Sequence, residues 1–282
     1  MKLNLATADV FVPDGTAIPA ALGRTTHLAV GAHQDDLEFM AMHGILECFG
    51  RDDLWFCGVV CTNGAGSPRA GVYAHYTDEQ MRAIRRIEQR TAASIGRYGA
   101  VLQLDHPSSV VKYPGNPAVR QDLAEIIRAT QPDVVYTHNP ADKHDTHIGV
   151  MAAVVAALRV LPAEQRPKQI LGCECWRDLD WLPDRRKVVL DVSRHENLAA
   201  ALNGVFDSQI AGGKRYDLAV LGRRRAHATF FESHGVDTAE MLTFAMDLMP
   251  LVQNPALSIA GYVESLIEEF KAEAREKLQP WK

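Results

Sequence analysis

Two clusters of histidine and aspartate dominate the chemistry available to this 282-residue chain. The first is Ala32-His33-Gln34-Asp35-Asp36-Leu37-Glu38, and the second runs from His138 through Asp142 and His144 to His147. His, Asp and His form a suitable ligand set for catalytic zinc, which takes three protein ligands and keeps a fourth position for water. Such a metal lowers the pKa of its water to about 7. A carboxylate beside it can then accept the proton as the water attacks. Adjacent aspartates suit that division of labour, one reaching the metal and the other free to act as base. His144, three residues before His147, is placed to polarise a developing oxyanion or to protonate a leaving amine. Each feature also has a plain structural reading. Asp35 or Asp36 can cap a helix beginning near Leu37, and Asp145 or Thr146 can cap the next one. Taken singly, the capping readings lead; taken together, the two clusters favour a metal site.

The elements around the clusters explain how residues about 100 positions apart can meet. Residues 26–31 read as a buried strand and 37–49 as a helix stopped by Gly50. A second strand covers 54–62. Thr77 and Gln80 form a capping box that opens a helix reaching about residue 98. A third strand follows at 100–105. Asn116-Pro117 reads as an N-cap with proline in the first turn of a helix that ends before Pro132. Residues 134–138 are the fourth strand, 146–160 a helix, and 170–176 and 187–192 two more strands. Ser193 with Glu196 predicts another capping box, for a helix to about 206. The chain from Lys214 on reads as mostly helical, with an amphipathic stretch at 258–277.

Strands that alternate with helices of this length imply a mostly parallel sheet covered on both faces, a Rossmann-like three-layer α/β sandwich with a helical C-terminal region. In such sheets ligands bind beyond the carboxyl ends of the strands, where the strand order reverses. That point lies between the first and fourth strands of the common 3-2-1-4-5 order, so both clusters converge on one crevice. The whole chain reads as one domain, with a core over about 26–210 and a helical extension over about 211–282.

Composition narrows the function classes. Hydrophobic residues make up 47% and charged residues 23%, an ordinary globular mixture that can bury a core without metal or disulfide staples. A metal is therefore expected for chemistry rather than for folding. With 35 acidic against 30 basic residues the net charge is −5, which argues against nucleic acid as a partner. The one dense basic run, Arg223-Arg224-Arg225, reads as a solvated helix face. Five cysteines, an odd number lying mostly in apolar runs, read as reduced and buried, and the Cys173/Cys175 pair reads as packing rather than as a metal pair. The N-terminus has no signal-peptide pattern, and no apolar run reaches the roughly 18 residues of a membrane span. The expectation is a soluble, cytoplasmic protein.

A strand ending in A-H-x-D-D-x-E, followed later by D-x-H-x-x-H, resembles the PIG-L/LmbE-like family of zinc-dependent N-deacetylases. Arg85 and Glu88 match the family's R-x-x-E, Pro132-Asp133-Val134-Val135 its P-D-V-V, and Ser208-Gln209 its S-Q, so the resemblance spans roughly 26–210. It implies that His33, Asp36 and His147 are the metal ligands, that Asp35 is the general base, and that His144 stabilises the tetrahedral intermediate or acts as acid. It also implies that Asp142 orients His144. The cofactor implied is Zn2+ or another divalent metal, and the partner a small-molecule N-acetylated amino sugar or glycoconjugate. Two positions depart from the family pattern. Gln34 stands where proline is usual, and His144-Asp145-Thr146-His147 replaces H-P-D-H.

Loops at the same sheet edge are the expected substrate contacts. Arg69, in the loop 64–76, and His106, at the end of the third strand, are the first choices, ahead of Trp176 and Trp181. Aromatic faces suit sugar rings, and arginine suits an anionic aglycone. His43, His75, His195, His227 and His234 lack a metal-ligand pattern. Three other readings compete: a hydrolase of another amide or ester, a non-heme iron oxygenase and a non-catalytic sugar-binding domain. The βα alternation opposes the oxygenase, since iron sites made of two histidines and one carboxylate usually sit in β-rich barrels. No G-x-G-x-x-G follows the first strand, which opposes dinucleotide binding. The C-terminal helices offer surfaces for homo-oligomer formation or for pocket closure.

Overall fold

The computed structural model describes residues 1–281. Eight strands form one sheet: β1 Asp9–Phe11, β2 His27–Gly31, β3 Phe56–Thr62, β4 Ala100–His106, β5 Val134–His138, β6 Gln169–Cys173, β7 Lys187–Asp191 and β8 Leu242–Asp247. Their order is β1-β4-β3-β2-β5-β6-β8-β7. β4, β3, β2, β5 and β6 run parallel, whereas β1 pairs antiparallel with β4, and β8 antiparallel with both β6 and β7. β2 pairs with both β3 and β5, through His27 opposite Phe56 and Val134. The direction in which successive strands are added reverses there, which is the expected location of a crevice.

Helices α1 Ile18–Gly23, α2 Asp36–Met40, α3 Met42–Cys48, α4 Asp78–Ile95, α5 Ser108–Lys112 and α6 Ala118–Thr130 belong to the first half. The second half contributes α7 Asp145–Arg159, α8 Glu196–Gly204, α9 Asp207–Ile210, α10 Tyr216–Phe230, α11 Met249–Gln253 and α12 Ile259–Lys277. Strand alternation sends side chains into two cores. On one face Leu28, Val30, Val59 and Leu102 pack with Leu123 of α6, Val154 of α7 and Leu251 of α11. On the other, Ala29, Val60 and Val101 pack with Leu37 of α2, Ile45 of α3, Ala92 of α4 and Leu202 of α8. Burial of both faces is why the central strands read as continuous apolar runs.

Local signals behaved unevenly. The Thr77–Gln80 capping box forms at the start of α4. The expected Ser193–Glu196 box does not. His195, in the left-handed region at φ 56°, precedes α8, and Ser193 Oγ instead accepts from the backbone of Glu240 and Met241 at 3.0 and 3.1 Å. Ser193 thereby ties the end of β7 to the entry of β8. Asn116 Oδ1 accepts from Ala118 N at 2.9 Å, but Pro117 occupies the cap position. The helix expected over 37–49 breaks at Ala41 into α2 and α3.

The largest correction concerns the region after Lys214. α10 and α12 are helical, yet β8 inserts between β6 and β7 and so belongs to the sheet. β1, a three-residue edge strand, was also unannounced by any pattern. The five cysteines are free, four of them buried and Cys175 partly so. Among the described residues no helix is long and apolar enough to cross a membrane.

Candidate active site

β2 and β5 end side by side, and each delivers one cluster. After β2 the chain turns sharply into α2. Asp35 sits at that turn with φ 99°, a conformation that an L side chain rarely adopts and that needs outside support. The support comes from α4. Buried Arg85 donates to Gln34 O and lies 3.2 Å from Asp35 Oδ2, while Asp35 N donates to Gln89 Oε1 at 3.3 Å. Arg85 also donates to Ser67 Oγ. Gly64 packs into the same corner. A Cβ there would lie 2.5 Å from Gln34 Oε1 and 2.9 Å from Arg85 Cδ, and its φ of +69° further excludes larger residues.

Asp36 faces the other way. Its Oδ2 accepts from Ala32 N at 3.1 Å and His33 N at 2.7 Å, and lies 3.2 Å from His33 Nδ1. His147 Nε2 and His138 Nε2 each stand 3.4 Å from the same oxygen. The structure thus brings His33, Asp36 and His147 together, with one ligand atom from each lying within 4.8 Å of the others. Neither ring nitrogen of His147 has a hydrogen-bond partner, although the ring is buried. Nδ1 has Asp142 Oδ2 behind it at 3.4 Å, which leaves Nε2 open on the side of Asp36 and His33, and the donor set there fits a divalent cation of the zinc type.

A second grouping, His138, His147 and Cys175, is equally compact. It fits a cation less well. His138 Nε2 already accepts the Ala32 N–H at 3.0 Å. Burial, with Asp36 and Asp142 nearby, holds the Cys175 thiol well above its ordinary pKa, and its sulfur donates to Asp36 Oδ1 at 3.6 Å. The sequence pattern assigns no role to His138 or Cys175, yet both are neighbours of Asp36.

The adjacent aspartates differ in charge preference. Burial raises the Asp35 carboxyl well above its ordinary value; Arg85 opposes this, and the charges of Asp36 and Glu38 add to it. Burial also acts to raise Asp36, but His147 and His138 outweigh it and hold the group well below. His33 and His138 are each pushed down to about 4 by burial. For His147 burial is overcome by Asp36 and Asp142, and its pKa rises.

His144 is the cap of α7. Its Nδ1 accepts from Thr146 N at 3.3 Å, so the neutral ring carries its proton on Nε2. The ring stacks on His147 at 4.7 Å and meets His33 edge-on at 4.9 Å. Asp142 requires a correction. Its Oδ1 accepts from the His144 backbone N at 3.0 Å, and its Oδ2 accepts from Trp176 N at 3.1 Å and stands 3.4 Å from His147 Nδ1. The carboxylate therefore steers the His147 ring and the loop backbone, rather than the His144 ring.

The unusual residues are absorbed locally. Gln34 Nε2 donates to Thr62 O and Gln103 Oε1, both at 3.2 Å, and pins the turn to β3 and β4. Asp145 opens α7 as a first-turn acid, and Thr146 supplies the N–H to His144. The R-x-x-E and S-Q pairs are also connected physically. Glu88 accepts from Ser208 N at 2.7 Å and Ser208 Oγ at 2.6 Å, which places Gln209 in the pocket wall.

The pocket has a volume of about 720 Å3 and includes His33, Asp35, Asp36 and His144. Trp176, Lys214, Tyr216 and Arg223 also line it. The two first-choice substrate contacts are not there. Arg69 is held by Asp78 Oδ1 at 2.5 Å and by Ala65 O at 2.6 Å. His106 is buried against Asp122 Oδ2 at 2.8 Å, because the last residue of β4 points into the sheet's packed face. Trp181 stays outside as well. The reading of Arg223–Arg225 as one solvated face is also corrected. Arg225 is exposed and pairs with Glu196, whereas Arg224 is 2% exposed and donates to Glu38 O and Phe39 O at the end of α2.

The family described as PIG-L, GlcNAc-PI de-N-acetylase, matches residues 28–158. An uncharacterised deacetylase of Escherichia coli (strain K12), YaiS, is 28% identical over 163 residues, 58% of this chain and 80% of that protein. Among solved structures, the N,N'-diacetylchitobiose deacetylase of Pyrococcus horikoshii aligns with a TM-score of 0.58 at 18% identity, over 78% of this chain and 83% of its own. GalB, the 4-carboxy-2-hydroxymuconate hydratase of Pseudomonas putida KT2440, aligns with a TM-score of 0.59, also at 18% identity, over 79% and 95%. At that identity the structural likenesses speak for the fold alone. The matched segment 28–158 contains both His/Asp clusters and the helix that carries Arg85.

Proposed function

We propose that this chain, whose residues 28–158 match the PIG-L family, is a metal-dependent hydrolase that removes an acetyl group from an N-acetylated amino sugar or glycoconjugate. One observation carries the reading: ligand atoms of His33, Asp36 and His147 converge within 4.8 Å, and two of the three residues, His33 and Asp36, line the pocket together with Asp35 and His144. A divalent cation held by those three residues, zinc by preference, would supply a water of lowered pKa and Lewis acidity.

The protein groups then divide the proton traffic. Asp35, fixed by Arg85 and Gln89, accepts a proton from the attacking water. Its raised pKa makes it a better base than an exposed aspartate, provided that it is ionised when the substrate arrives. His144, with its proton on Nε2, donates a hydrogen bond to the oxygen that becomes negative in the tetrahedral intermediate. The same ring is placed to protonate the departing amine. Asp142 holds the His147 ring at a fixed angle, as a carboxylate behind a metal-ligating histidine does.

The test is acetate release from a panel of N-acetylated amino sugars and glycoconjugates, with zinc-loaded protein alongside Asp35→Asn. Release that disappears in the variant supports deacetylation. Bound metal with no acetate from any member moves the reading to a different amide or ester.

A further inference from the structure

The turn between β2 and α2 contains the makings of a helix cap that does not form. Asp35 is the N-cap of α2, and Glu38 stands three positions on. At that spacing a cap side chain bonds the N3 backbone, and the N3 carboxylate reaches back to the cap's own N–H. Neither half is made. The Asp35 side chain makes no cap hydrogen bond and faces Arg85 instead. Glu38 turns away, and its Oε1 accepts from Gln89 Nε2 at 2.9 Å and from Tyr98 Oη at 2.7 Å. The acceptor for Asp35 N is Gln89 Oε1, at 3.3 Å. One amide of α4 thus stands between two residues that would otherwise bond each other.

The orientation of that amide is dictated. A backbone N–H only donates, so Gln89 must turn its oxygen to Asp35 and its nitrogen to Glu38. Gln89 and Glu38 are fully buried and Tyr98 nearly so, which leaves no water to replace a lost partner. Arg85, Glu88 and Gln89 share one face of α4 through i, i+3 and i+4 spacing. Arg85 takes the Asp35 carboxylate, Gln89 takes its backbone N–H, and Glu88 takes Ser208. The turn needs this support because Asp35 sits at φ 99°. Without the amide, the Asp35 carboxylate is the acceptor nearest in sequence for the first N–H groups of α2, and Glu38 is free to reach back. The closed cap and the rotamer facing Arg85 compete for one carboxylate.

We propose that Gln89 is a positioning residue for the hydrolysis: its amide keeps the Asp35–Glu38 cap open and so leaves the Asp35 carboxylate free to take a proton from water. This rests on the reading of Asp35 as base. The test compares zinc-loaded Gln89→Met, Gln89→Asn and Ile127→Val with the unaltered chain. For each, kcat and KM are measured for acetate release from the best substrate of the panel, with zinc content and urea midpoint alongside. The crystal structure of Gln89→Met is determined as well. In Gln89→Met, kcat should fall about 10–100-fold, with KM and zinc content unchanged within about twofold. Its Asp35 carboxylate should leave Arg85 and accept from a backbone N–H of α2. Gln89→Asn is one methylene shorter and can reach only one of its two partners, so it should show the same split with a smaller loss, and it carries the comparison if Gln89→Met does not fold. Ile127→Val, in the core on the opposite face of the sheet, should lower the urea midpoint and leave kcat unchanged. A kcat in Gln89→Met within about twofold of the unaltered value overturns the proposal. So does a loss of kcat with Asp35 still on Arg85, or an equal loss in Ile127→Val. Acetate release that survives Gln89→Met would leave the deacetylase reading intact. No release by the unaltered chain from any panel member would count against that reading, and the crystal structure then decides for Gln89: Asp35 withdrawn from Arg85 supports the open cap, and Asp35 unmoved overturns it.

Discussion

The two sides of the pocket are built on opposite principles. On the side of β2 and β5, charged groups are answered by partners: Asp35 by Arg85, Asp36 by two backbone N–H groups and three histidines, and Asp142 by His147 and two backbone N–H groups. On the side of α10, Lys214 and Arg223 have no carboxylate within ion-pair distance among the described residues, although Glu174 feels the charge of Arg223, and Trp176 remains 37% exposed. A group that must keep one geometry through a reaction is surrounded by hydrogen bonds that fix its rotamer. A group that must receive a ligand keeps donors free for it. The two sides therefore differ in how closely their charged groups are paired with opposite charge.

The largest effects should come from the side of β2 and β5. His147→Ala is expected to lose the metal and with it all measurable turnover. Asp35→Asn should keep the metal and lose turnover by about 10²–10⁴-fold. Metal content by mass spectrometry, set beside acetate release, separates the two roles. Comparable metal loss in both variants would make Asp35 a ligand and erase the distinction between the aspartates. Asp142→Asn comes next. Removing a carboxylate behind a ligating histidine should weaken metal affinity by about 10–100-fold. An unchanged affinity would mean that the 3.4 Å approach to His147 Nδ1 orients nothing. On the recognition side, Trp176→Ala should raise KM by about tenfold at most, with metal content unchanged. A loss of metal there would show that Trp176 N and its neighbours support Asp142 rather than the ligand.

Legibility in the sequence followed the same divide. The β2 and β5 ends could be read because their chemistry is local: His33, Asp35 and Asp36 lie in one turn, and Asp142, His144 and His147 in another. Parallel alternation of strands and helices then placed both turns at one edge. The recognition wall could not be read in this way. Lys214, Tyr216 and Arg223 face the pocket only because α10 crosses it on the way to β8, an antiparallel strand that no periodicity announced. Residues chosen from loops by chemical type alone, Arg69 and His106, proved to be held by Asp78 and Asp122. Arg224 shows the limit most clearly. Three consecutive arginines suggest one solvated face, yet at helical spacing they point in three directions, and the middle one is buried under α2.

The smallest expected effect concerns the buffer between these regions. Glu38 is fully buried at the end of the first motif. Its Oε1 accepts from Gln89 at 2.9 Å and Tyr98 at 2.7 Å, and its Oε2 has no partner. Burial raises its pKa from 4.5 to about 7, and the two donors only partly offset this. The folded chain therefore binds a proton more tightly than the unfolded one. The stability this gives is complete below about pH 4.5 and is lost as pH rises through about 7. Between about pH 6 and pH 8 the loss attributable to Glu38 should be about 1 kcal/mol. Glu38→Gln keeps the shape and the acceptor for Tyr98 but cannot ionise, so its urea midpoint should fall less over that interval than that of the unaltered chain. If both proteins lose stability in parallel, the carboxyl is ionised throughout. The β2 side would then hold a buried anion that Gln89 and Tyr98 alone suffice to stabilise, and its partners would be stronger than the contrast with α10 requires.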